Sequence, residues 1–301
     1  MNLEQYFLEK KKLVDQELDK YFQVPSKSPF SKLYEAMRYT LFPGGKRIRA
    51  ILALASAEAL KKDPLEVLPI ACALEIIHNY SLIHDDLPAL DDDDLRRGKP
   101  SNHIQFGEDI AILAGDALLT AAFEFLSHPT LQHFDAKKRI EAIHDLSRAA
   151  GPKGMAGGQA CEIVERKKTS ERDCAILEFL HIHKTGMLIR ASLTTPALLL
   201  DAPTKALNSL KRYGEHLGLA FQIADDIQDY QKGKFSNFSY PATSSLDECR
   251  RRAIELKESS IKALASFGKE ADPLRQIACF VVDNMHDKER GSWALKPEQS
   301  L

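Results

Sequence analysis

"IACALEIIHNYSLIHDDLPALDDDDLRRGKP", residues 70–100, decides the fold. Residues 70–83 are apolar nearly all round a helix, and a helix with no polar face belongs in an interior. The second half crowds six aspartates into positions 85–94, then sets Arg96, Arg97 and Lys99 behind them. A core helix therefore runs out to solvent and ends in a knot of like charge. That repulsion calls for a ligand of opposite sign.

The same period of 3.6 runs through most of the chain. Leu3, Tyr6, Phe7, Leu13, Val14, Leu18, Tyr21 and Phe22 make residues 1–24 an amphipathic opening helix, closed by Pro25 and Pro29. Residues 48–60, 65–86, 108–126, 136–150, 173–200, 205–230, 246–266 and 273–286 read as further helices. Alternating strand patterns are missing, and no low-complexity linker divides the helices. The expectation is a large all-α bundle, one domain over residues 1–301, with a loose polar tail at 287–301.

Composition removes several classes. With 301 residues, 44% hydrophobic, the chain can bury a large core. A formal net charge of −2, with no basic stripe interleaved with aromatics, speaks against nucleic acid. Five scattered cysteines without a CxxC pair fit a reducing compartment. MNLEQYFLEKKK has no apolar signal core, and no uncharged apolar run is expected to span a membrane. A cytoplasmic protein is the expectation.

Carboxylates at the end of an apolar helix are oxygen ligands of the kind that Mg²⁺ takes, together with waters and substrate phosphates. Asp85 and Asp86 follow directly on that helix. Asp91, six positions on, lies about 240° round from Asp85, so both face one ion only if the helix breaks between them, and Pro88 supplies a reason. A solvated acidic loop explains one such run equally well. A second run, "FQIADDIQDY" (221–230), puts Asp225 and Asp229 about 40° apart on one helix face, again at the end of an apolar stretch. Two such clusters suggest a shared metal site for a polyanion. Cations stand nearby: Lys46, Arg47 and Arg49 open a helix after Gly44-Gly45, where backbone N–H groups favour an anion. His78 shares the helix face of Asp85, although a lone histidine on an apolar helix is usually a core residue.

GGKRIR, IIHNYSLIHDDLPALDDDDLRRGKP, GMAGGQACE, HIHKTG and FQIADDIQDY occur in this order. Together they resemble the trans-isoprenyl diphosphate synthases, bacterial farnesyl diphosphate synthases most closely, over about residues 30 to 285. The resemblance implies the isoprenoid-synthase fold around a central active-site cavity, and a homodimer. It also implies that Asp85, Asp86 and Asp91, with Asp225, Asp226 and Asp229, bind Mg²⁺, three ions per site, bridging an allylic diphosphate. Lys46, Arg49, His78 and Arg97 match positions that hold isopentenyl diphosphate. Arg96, Lys184, Thr185 and Gln222 match positions around the allylic substrate. The implied reaction ionises the allylic C–O bond, adds isopentenyl diphosphate head to tail and loses a proton; Asp85, Asp225, Lys184, Thr185 and Gln222 are its expected catalytic residues. Tyr80, with Ser81 beside it, matches the chain-length position, where a bulky ring goes with a fifteen-carbon product; an ordinary core tyrosine is the alternative.

The match departs from the family in three places. The loop after Asp229, "QKGKFSNFSYP", is short and carries Asn237 where a lysine is expected, with Lys232 or Lys234 as substitutes. Ala50 replaces a usual proline and Glu162 a usual aspartate. Within the class, a geranylgeranyl or geranyl product competes with farnesyl diphosphate. A non-catalytic partner subunit is the reading from another class, weakened by two intact aspartate motifs. A class I terpene cyclase would need neither GGKR nor a second DDxxD.

Overall fold

The structure, a computed structural model, describes residues 2–25, 27–42, 45–168, 174–234 and 236–283. It is a bundle of α-helices, as the periodicity predicts. In chain order these are α1 (Leu3–Tyr21), α2 (Ser31–Leu41), α3 (Ile48–Ala59), α4 (Leu68–Asp85), α5 (Asn102–Phe106), α6 (Glu108–Leu126) and α7 (Ala136–Ala150). Then follow α8 (Met155–Arg166), α9 (Cys174–His181), α10 (Met187–Leu199), α11 (Thr204–Gln231), α12 (Leu246–Ala263) and α13 (Asp272–Asp283). Among the described residues the only extended structure is a two-residue antiparallel ladder, Leu95–Arg96 on Lys99–Pro100. The residues expected to form the tail, 287–301, lie outside those described.

Helix α3 shows how the layers are built. Ala50, Ala53, Leu54 and Ala57 join a core formed mainly with α4, α6 and α7. Ile51, Leu52, Ala55 and Ala59 join a second core with α11, α12 and α13. Small alanines let helices close on both sides, so α3 is buried nearly all round. Truncating a buried leucine in such a core costs about 2–5 kcal/mol. Two stretches, residues 64–85 and 108–131, do reach the length and apolar content of a membrane-crossing helix, contrary to the expectation. The first is 67% buried inside the protein, so its apolar content is accounted for by the core.

Three elements depart from the periodicity reading. The helix expected over 173–200 is interrupted by a π-turn at Ile182–Gly186, and such turns often lie at functional sites. Helix α8 comes from GMAGGQACEIVER, whose glycines hid it. Helix α2 was likewise not expected. Arg47 is a further surprise. It opens α3 in the left-handed region (φ 55°) and is buried against the protein's own carboxylates, not facing an anion from outside. Its guanidinium lies 2.8 Å from Asp15 Oδ1 and 3.6 Å from Glu75 Oε2 and donates to the Leu41 carbonyl, tying α1, α2, α3 and α4 together. Burying Arg47 and Glu75 is tolerable only because they pair with each other, with half-buried Asp15 adding a second carboxylate. Ala50 joins them: its N–H donates to Glu75 Oε1 (3.2 Å), a bond that a proline could not make.

Candidate functional site

Helix α4 ends at Asp85, and the chain turns back: Asp91 N–H donates to the Asp85 carbonyl at 2.9 Å, and Asp92 takes a left-handed φ of 55°. The break that the spacing demanded is therefore present, between Asp85 and Asp91. Asp85 lines a cavity of about 390 Å³ that also takes in Arg49, His78, Tyr80, Ser81, Lys184 and Thr185. Burial raises the Asp85 carboxyl to about 6, against the opposing pull of Lys184. Burial, with the charges of Arg49 and Arg97, holds His78 well below its usual range, so it is neutral at neutral pH. Burial likewise lowers Arg49, and brings the Lys46 ammonium down to about 7 despite Asp225. Lys46 Nζ stands 5.8 Å over the Phe280 ring.

A second cavity of about 240 Å³ gathers Asp225, Asp226, Asp229, Gln222, Glu162 and Lys184, with Lys234 at its edge. Lys184 lines both cavities and so stands between the two acidic segments. Two glycines bring Lys184 and Thr185 there. A methyl group on Gly158 would collide with the Lys184 backbone nitrogen, so only glycine lets α8 lie against the π-turn. On the other side, a methyl on Gly218 of α11 would lie 2.8 Å from the Gly186 Cα. The π-turn is thus clamped between α8 and α11.

The carboxylates are not alike. Asp86 is buried and bound by Arg96, which also reaches Asp93 at 3.1 Å, so Arg96 is engaged with its own chain and does not point freely into the cavity. Asp226 is 8% exposed; its Oδ1 accepts from Gln222 Nε2 (3.0 Å) and its Oδ2 from the Tyr240 N–H (2.9 Å). Asp91 is paired with Arg166 at 2.6 Å. Arg97 lies near the Gly45 backbone, beside the entrance to α3. Among the described residues, no three His, Cys, Asp or Glu side chains converge on one point. The hard oxygen donors at the two cavities therefore suit a cation held between a few carboxylates and substrate phosphates, as Mg²⁺ is, more than one caged wholly by protein.

Some site residues escaped the sequence reading. Arg166 also donates to Glu162, and Lys184 donates to the same Glu162 at 2.8 Å. Glu162 thus bridges the two cations, and the ion pair crosses from α8 to the first acidic segment. The Gln159 amide is buried in the larger cavity without a hydrogen-bond partner among the described residues. Its only signal was its place in GMAGGQACE. The Tyr80 ring meets His84 edge-on at 5.8 Å, and His84 Nε2 lies 3.0 Å from the Ile112 carbonyl on α6. Such histidine contacts are invisible to periodicity.

Residues 30–237 match the polyprenyl synthetase family. A farnesyl diphosphate synthase from Geobacillus stearothermophilus is 46% identical over 77% of this chain and 76% of its own. A geranylgeranyl diphosphate synthase from Cyanophora paradoxa is 41% identical, covering 94% of this chain and 96% of its own. Among solved structures, an FPP/GFPP synthase from Zymomonas mobilis superposes with a TM-score of 0.86 at 39% identity, over 93% of this chain and 99% of that one.

Proposed function

From the premise that this chain belongs to the polyprenyl synthetase family, and is a short-chain trans-prenyltransferase, we propose that it makes farnesyl diphosphate from isopentenyl diphosphate and dimethylallyl or geranyl diphosphate. The observation that carries the product length is Tyr80, 8% exposed on α4 and lining the 390 Å³ cavity. Its ring, backed by His84, floors the space into which a growing chain would extend. Ser81 lies beside it in the same lining.

In this reading Lys46, Arg49, His78 and Arg97 receive the diphosphate of isopentenyl diphosphate. His78, held neutral, donates a hydrogen bond without adding charge. Asp85, Asp91, Asp225 and Asp229 hold Mg²⁺, the metal of this family, at three ions per site. Magnesium, when bound, supplies positive charge against the departing diphosphate. Asp86 serves indirectly, fixing Arg96 at the rim of the allylic site. Lys184 crosses between the two cavities and adds its charge to the leaving group. Lys234 is the nearest substitute for the lysine missing at position 237: it reaches the second cavity, and its N–H bonds to the Asp229 carbonyl at 2.9 Å. Thr185 and Gln222 present oxygens toward the cation without being positioned to trap it, while Met155 and Ile163 keep that wall apolar and exclude water.

A homodimer belongs to this reading, supported by Ile112 and Leu113, 44% and 54% exposed on α6. A monomer in light scattering would count against it. The deciding test incubates the protein with Mg²⁺, labelled isopentenyl diphosphate and either dimethylallyl or geranyl diphosphate. We expect a fifteen-carbon product from both primers. No incorporation with either would favour a non-catalytic subunit. Tyr80→Ala is expected to shift the product to twenty carbons by chromatography, and an unchanged length would remove Tyr80 from that role.

A further inference from the structure

Asp226 sits second in an aspartate motif, yet it is more deeply buried than Asp225 and Asp229. One residue along a helix rotates a side chain by about 100°. That rotation carries Asp226 inward, while Asp225 and Asp229 share a face. Both of its oxygens have protein donors: Gln222 Nε2 on Oδ1 at 3.0 Å, and the Tyr240 N–H on Oδ2 at 2.9 Å. His181 Nε2 lies 3.2 Å from Oδ2, and its ring stacks on Tyr240 with centroids 5.7 Å apart. Tyr240 is held again at its far end, its hydroxyl donating to Glu178 at 2.6 Å.

An ionised carboxylate only accepts hydrogen bonds, whereas a primary amide has one donating end and one accepting end. Facing Asp226, Gln222 must therefore direct its NH₂ group toward the carboxylate. Its oxygen is left pointing the other way, where it accepts from the Thr185 hydroxyl at 3.0 Å. We propose that Asp226 is a positioning residue: by accepting from Gln222 and from the Tyr240 backbone, it fixes the Gln222 amide with its oxygen toward Thr185 and the allylic site, and anchors the short loop that follows α11. The catalytic consequence rests on the reading of Gln222 given above. An amide oxygen stabilises a developing cation, and an NH₂ group in its place would oppose it.

Asp226→Asn tests the orientation with little change of shape. The Tyr240 N–H still requires an acceptor, so the new NH₂ turns to Gln222, which must flip and present its own NH₂ to Thr185. The expected result is a fall in kcat of about ten- to hundredfold, with KM for both substrates within about twofold. Calorimetric binding of Mg²⁺ with inorganic pyrophosphate should match wild type in Asp226→Asn and be lost in Asp225→Asn. Equal weakening of Mg²⁺ binding in both variants would overturn the proposal. In a Gln222→Ala background, Asp226→Asn should cost nothing further in kcat; a full additional loss would show that Asp226 acts without Gln222 and also overturn it. If Gln222→Ala alone kept wild-type kcat, the fault would lie in the underlying reading of Gln222. Should Asp226→Asn not fold, neutron diffraction on the wild-type protein decides: deuterons on the Gln222 atom facing Asp226 support the proposal, and deuterons on the atom facing Thr185 refute it.

Discussion

The two aspartate segments contain similar letters and are built differently. The first, at 85–94, lies beyond the end of α4, where the chain reverses and brings the Asp91 N–H onto the Asp85 carbonyl. Its later members, Asp92 to Asp94, are exposed. The second, at 225–229, stays within the 28-residue helix α11, so helical phase alone sorts its members. Asp225 and Asp229 lie about 40° apart, and Asp226, about 100° round from Asp225, is the most buried of the three. The first segment gains its geometry by breaking a helix, and the second by keeping one. Identical residue types can therefore differ in role according to the backbone beneath them.

The largest effect that would break this comparison is loss of its shared function. Asp85→Ala and Asp225→Ala should each lower isopentenyl incorporation by about 10²–10³-fold with unchanged melting temperature. A wild-type rate in either would separate that segment from the chemistry. The next concerns the frame behind the first segment. Arg47→Met leaves Glu75 buried on α4 beside an apolar chain and should cost about 3–5 kcal/mol in denaturant unfolding. A loss under about 1 kcal/mol would mean that the ion pair with Asp15 and Glu75 is not what holds α1 to α4. The smallest effect sharpens the contrast between segments. Arg166 holds Asp91, so Arg166→Ala should free Asp91 and lower the half-saturating Mg²⁺ by about two- to fivefold, the equivalent of one partly exposed ion pair. An unchanged Mg²⁺ requirement would show that the pair does not compete with the metal.

Much of the site was legible because its residues are polar in apolar surroundings. Asp85 and His78 stood out on α4 for that reason and Tyr80 through the resemblance, and the larger cavity gathers all three. Asp225 and Asp229 were readable from a spacing of four. Arg47 was misread because a cation following glycines at a helix start looks like an anion site, whereas its left-handed backbone turns it into the core. Ala50 was legible only as a departure from a usual proline, since nothing local tells that Glu75, 25 positions away, accepts its N–H. Arg166 and Glu162 were missed as partners because their alignment depends on where α8 lies against the first acidic segment.

Alone, the sequence determined what depends on near neighbours. Helical periodicity set the all-α class, apolar stretches marked the interior helices, and five motifs in a fixed order carried the resemblance that implies the chemistry. Only the tertiary structure decided which charges line the cavities and which are held by partners within the protein. Arg47 with Glu75, Arg96 with Asp86, and Asp226 with Gln222 and the Tyr240 backbone are cases of the second kind. Three of those four contacts join residues on different elements, so direction and burial, which spacing does not encode, settle what each charge does.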